Sequence, residues 1–92
     1  MENSIYKYNL PLQDGVIKVD MPFGAEVVSA GVQGDDIFLW AEVNPKETIG
    51  TVRFFEVFGT GHPIPVDMGI ERRFIQTVFM GWMVFHIYER LD

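Results

Sequence analysis

The chain predicts an all-β domain, a small antiparallel β-sandwich or barrel of six to seven short strands. Three observations carry that expectation. Apolar and polar residues alternate along short runs instead of recurring at helical spacing. Glycine, proline and Asp-Gly signals punctuate the sequence at intervals of about 8–12 residues. The runs between them are rich in β-branched and aromatic side chains, which suit a pleated, half-buried surface. Residues 1–92 are expected to form a single β domain.

Ser4 to Leu10 alternates, with Tyr6, Tyr8 and Leu10 on one face and Ile5 and Lys7 on the other. Pro11 closes it, and Asp14-Gly15 is a hairpin signal, so Val16 to Met21 is expected to pair with it. Ile17, Val19 and Met21 then point to the core, and Lys18 and Asp20 away from it. Ala25 to Val32 follows a Pro-Phe-Gly break; alternation puts Val28, Ala30 and Val32 on one side and Val27 and Ser29 on the other. Gly31 in that run signals a bulge or a close backbone approach. Ile37 to Val43 is largely apolar on both faces, as in a central strand or one with a face at an interface.

Asn44 to Gly50 is a polar connection with room for a helical turn at most. Val52 to Phe58 is a strongly hydrophobic strand, and Pro63 to Gly69 an irregular excursion, because its prolines cannot donate to a ladder. Phe74 to Met80 and Trp82 to Glu89 close the chain as a hairpin about Gly81.

Composition excludes several function classes. There is no cysteine, hence no disulfide, thiolate metal site or cysteine nucleophile. A net charge of −6 argues against non-specific nucleic-acid binding, which needs a basic surface. The N-terminus lacks a signal-peptide pattern, and the longest apolar run falls well short of the ~20 residues a membrane helix needs, so a cytoplasmic protein is expected. At 48% hydrophobic and 14% aromatic the chain is rich for its size, which predicts a homo-oligomer that covers part of the surplus.

The strand Val52–Phe58 runs into Gly59-Thr60-Gly61-His62-Pro63, and this turn is the first candidate site. Its glycines free the backbone N–H groups, and Thr60 and His62 add polar side chains, a pattern suited to an anion. Arg53, Arg72 and Arg73 flank the segment in sequence and offer guanidinium forks for phosphate, while Trp40, Trp82, Tyr6 and Tyr8 offer stacking faces for a planar ligand. The turn lacks the Lys-Ser/Thr end of a phosphate-binding Walker loop. His86 reads as a structural hydrogen-bonder. Two distant histidines do not make a metal site, and neither Ser4 nor Ser29 has the context of a nucleophile. No enzyme, cofactor or metal is therefore expected.

Several separated motifs resemble those of a family of small uncharacterised proteins encoded by tailed bacteriophages. They are Ile5-Tyr6-Lys7-Tyr8, Met21-Pro22-Phe23-Gly24-Ala25, Leu39-Trp40-Ala41, Gly59-Thr60-Gly61-His62-Pro63 and the closing strand with His86. The resemblance covers nearly the whole chain and implies a protein at work in the cytoplasm of an infected host cell. It points to a non-catalytic binder that sequesters a nucleotide-type immune signal, an anti-defence role. The alternative is a protein-interaction module that binds and inhibits a host protein.

Overall fold

Alternation in the sequence becomes strands throughout the computed structural model, which describes residues 2–92. The described residues form β1 (Ser4–Leu10), β2 (Ile17–Pro22), β3 (Glu26–Gln33), β4 (Asp36–Val43), β5 (Gly50–Gly59), β6 (Arg72–Met80) and β7 (Met83–Arg90). All pairings are antiparallel. One sheet has the order β1-β4-β3 and the other β2-β5-β7-β6, and the two share one apolar core in a sandwich. The connection with room for a helical turn holds a single hydrogen-bonded turn instead, Asn44–Glu47, and a second such turn, Asp67–Ile70, lies in the stretch before β6.

The inward residues of alternate positions build the core. Ile37, Leu39, Ala41 and Val43 of β4 are buried, as are Ile17, Val19 and Met21 of β2, Phe55 of β5 and Ile87 of β7. Phe55 is the largest fully buried side chain, and truncating it to alanine is expected to cost about 3–5 kcal/mol. β4 is the central strand that its two apolar faces announce. Its outer face carries Phe38 under the Lys7 ammonium, 4.0 Å from the ring centre, and Trp40.

The N-terminal hairpin does not form, and the expectation is corrected: β1 pairs with β4 in one sheet and β2 with β5 in the other. Six residues, 11–16, separate the two strands, too many for the two-residue loop that an Asp-Gly turn usually closes. They turn a corner between sheets, so that Leu10 and Ile17 enter the common core from its two sides.

A second correction concerns β3. Its pairing with β4 shifts between Val27 and Ser29, and this bulge flips the alternation, burying Val27 and Ala30 and leaving Val28 half exposed. Gly31 is where the close approach occurs. A Cβ there would stand 3.2 Å from the Trp40 indole.

β6 has its own bulge between Phe74 and Gln76, and the two bulged edge strands lie side by side without pairing. The Ala30 N–H of β3 donates to Gln76 Oε1 of β6 at 2.8 Å, and Arg53 Nη1 of β5 donates to the carbonyl of Ala25, just before β3, at 2.7 Å.

Because β5 and β6 both run antiparallel to β7, they are parallel to each other, and residues 60–71 must return along the sheet. That requirement explains the extended, proline-bearing excursion. Arg72 pins it by donating to the Pro65 carbonyl at 2.7 Å, and the Leu91 N–H pins its end by donating to the Glu71 carbonyl.

Candidate binding site

The site is built outward from the end of β5. The His62 N–H donates to the Gly59 carbonyl at 3.0 Å, and Gly61 takes φ +85°, which together close a type II turn over Gly59–His62. A positive φ at that position is why glycine stands there. Glycine suits position 59 for a different reason: the His62 ring lies against Gly59, and a Cβ would sit 2.8 Å from Nδ1.

The neighbouring hairpin locks the turn in place. The Thr60 N–H donates to the Val84 carbonyl at 3.2 Å. The Thr60 hydroxyl lies 2.7 Å from His86 Nε2, and the other ring nitrogen, Nδ1, lies 2.9 Å from the Thr77 hydroxyl. A hydroxyl both donates and accepts, so the two threonines hold the imidazole at both nitrogens. Thr77 and His86 face each other across the β6–β7 pair. His86 is thus the structural hydrogen-bonder that its strand position suggested, and its partner is the candidate turn.

Two contiguous clefts meet at His62. The first, about 300 Å³, is lined by Gly59, Thr60, His62, Trp82, Met83, Val84 and Phe85. The second, about 350 Å³, is lined by Leu12, Gln13, Asp14, Val57, Gly59, His62 and Phe85. They share Gly59, His62 and Phe85, so together they form one two-lobed groove at the end of the sandwich. Trp82 stands at the rim on the two-residue β6–β7 turn, where Gly81 takes φ +61° and Met80 pairs with Met83. The indole is 90% exposed.

The structure brings Gly59, Thr60, Gly61, His62 and Trp82 together but sets Arg53, Arg72, Arg73 and Trp40 apart. Arg53 lies six residues before Gly59 on β5, which is about 20 Å at strand rise. Arg72 and Arg73 pair across β7 at that same far end. There the arginines meet buried carboxylates. Glu89 accepts from Arg53 and Arg73, each at 3.1 Å, and Glu56 accepts from Arg72 at 2.7 Å with Arg90 3.5 Å away. Arg90 also grips Asp92 and holds that carboxyl well below the usual carboxylate range, mainly by its hydrogen bond. Trp40 belongs to the outer face of the other sheet and lines neither lobe.

Of the aromatic residues offered as stacking faces, Trp82 lines the first lobe, while Phe85, Gln13 and Asp14 were missed as lining residues. Gln13 and Asp14 were out of reach, because only the inter-sheet corner brings them to His62. Among the described residues no cluster of three histidine, aspartate or glutamate side chains is placed to hold a metal ion, and no helix is long and apolar enough to cross a membrane.

Fold and groove together define a small β-sandwich protein with a two-lobed cleft at one end. The chain belongs to the family described as a domain of unknown function, DUF7352, whose model matches residues 1–92. No curated protein and no solved structure matches it.

Proposed function

We propose that this chain is a small non-catalytic binding protein that holds a nucleotide-class ligand in the groove around His62. One observation carries the reading. An apolar cleft is flanked by an imidazole that lies against Gly59 and by an indole that is 90% exposed and contributes nothing to the core. Aromatic rings so placed stack on planar heterocycles, and the turn between them is fixed by hydrogen bonds on both sides, as a preorganised site requires. The resemblance to tailed-phage proteins supports a setting inside an infected bacterium. Sequestering a nucleotide immune signal is the role that fits it.

A thermal-shift screen tests this reading. At 100 times its dissociation constant a ligand stabilises its protein by about 2.7 kcal/mol, which in a domain of this size raises Tm by several degrees. A nucleoside or nucleotide is expected to do so. A flat profile across both classes would remove the proposal.

One observation favours a second reading, the host-protein-binding module. Phe74 and Phe79 on β6 and Val66 and Met68 in the 60–71 connection are exposed, Met68 completely. A flat ligand screen with a stable host complex lost on Phe79→Asp is the result that reading expects.

A further inference from the structure

We infer that the groove reads the heterocycle of its ligand through hydrogen-bond acceptors, and prefers an amino-bearing base or nucleoside to its phosphorylated form. The inference rests on the binding reading above and narrows it: the groove holds the base of a nucleotide-class ligand and gives its phosphate no partner.

The first argument is where the cations are. The chain has seven lysines and arginines, and none lines either lobe. Arg53, Arg72, Arg73 and Arg90 are held by Glu56, Glu89 and Asp92. Lys7 lies over Phe38 and donates to Gln33 on the outer face of the other sheet. Lys18 sits opposite Phe54, toward the arginine end, and Lys46 is in the turn after β4. A phosphate in the groove would find no guanidinium or ammonium.

The second argument is what the groove offers in their place. The N–H groups of Thr60 and His62 are spent on Val84 and Gly59, and the Thr60 hydroxyl on His86. Gln13 directs one amide N–H toward the Val16 carbonyl at 3.4 Å, which leaves its oxygen and its second N–H. Asp14 adds a carboxylate to the same lobe. The polar end of the groove therefore offers the Asp14 carboxylate and the Gln13 oxygen as acceptors with no lysine or arginine beside them, inside a chain of net charge −6. A phosphate is repelled by Asp14, whereas an exocyclic amino group donates to it. Trp82 and His62 supply ring faces in the apolar lobe, and Asp14 and Gln13 supply the edge contacts in the polar one.

Calorimetric titration of the intact chain with adenosine, AMP and purine riboside, which lacks the amino group, separates the outcomes. Adenosine is expected to bind at least as tightly as AMP, and purine riboside about tenfold more weakly, the effect of losing one hydrogen bond to a charged acceptor. Asp14 is exposed in a corner, so Asp14→Lys folds, and it should shift the preference toward AMP by about tenfold or more. AMP binding tenfold tighter than adenosine to the parent chain would overturn this inference and leave the binding reading standing. No heat with any of the three at millimolar concentration would overturn both.

Discussion

Gly59 and Gly61 are two residues apart and glycine suits each for a different reason, which makes their substitution a test of the turn. Gly61→Ala forces a side chain into the left-handed region at φ +85° with no neighbour to clash. It is expected to lower stability by about 1 kcal/mol in urea denaturation. Gly59→Ala meets the His62 ring instead. Because His62 is exposed and free to turn away, stability should change by less than about 1 kcal/mol, while ligand binding, measured by calorimetry, is lost. A contrasting effect is expected at Glu89, which is 3% exposed and lies between Arg53 and Arg73. Glu89→Gln leaves Arg53 without its countercharge and should cost about 3 kcal/mol, with no change at the groove. Tyr8 gives a pH signature. Burial, and secondarily Tyr6, raises its phenol above the ordinary tyrosine value of 10.0. A raised folded-state pKa contributes stability that is fully present below the unfolded value and is lost as pH rises through the folded one. Stability should therefore fall from about pH 10 upward, and Tyr8→Phe should remove that part of the decline.

Among the elements, the β6–β7 hairpin carries the most function for its size. It presents Trp82 at its tip, Thr77 and His86 on its outer face and Phe85 beside the groove. Trp82→Ser should leave stability within about 0.5 kcal/mol, yet weaken a stacked ligand by about 1–3 kcal/mol in a binding titration. This hairpin was legible in the sequence. The hairpin was read about Gly81 with Trp82 already in the strand; the structure puts Trp82 in the turn, pairs Met80 with Met83 and so sets Thr77 opposite His86. The apolar faces of β4 likewise announced its central place. The pairing of β1 and β2 was not legible, because the core decides which sheet a strand joins and the Asp-Gly signal speaks only for its own few residues. Nor was the fate of the arginines. Arg53, Arg72 and Arg73 read as free anion binders until β5 and β7 bring Glu56 and Glu89 against them, and those carboxylates lie 16 to 36 residues away in the chain. The glycine turn was placed correctly after the β5 strand, but the N–H groups expected to be free for an anion are bonded at Thr60 and His62 to Val84 and Gly59. Its neighbours in space were the illegible part.

On the scale of the whole molecule the chain is a flat body of 43 × 36 × 16 Å with more surface than its mass requires. It exposes 6032 Å², against roughly 5,500 Å² for a typical monomer of this mass. Phe23, Ile49, Phe79, Trp82 and Met68 all stand in solvent. We expect a homo-oligomer, seen in sedimentation as a species heavier than 10.6 kDa at micromolar concentration; a single 10.6 kDa species would contradict that expectation. The central claim is that ligand recognition sits at the His62 end of the sandwich and not at the arginine end. Proton–nitrogen correlation spectra recorded during an adenosine titration test it most directly. The account predicts saturable shifts of the Gly59, Thr60, Gly61, His62 and Phe85 amides and of the Trp82 indole, with Arg53, Arg73 and Glu89 unmoved. Shifts centred on the arginines, or no shift at millimolar ligand, would contradict it.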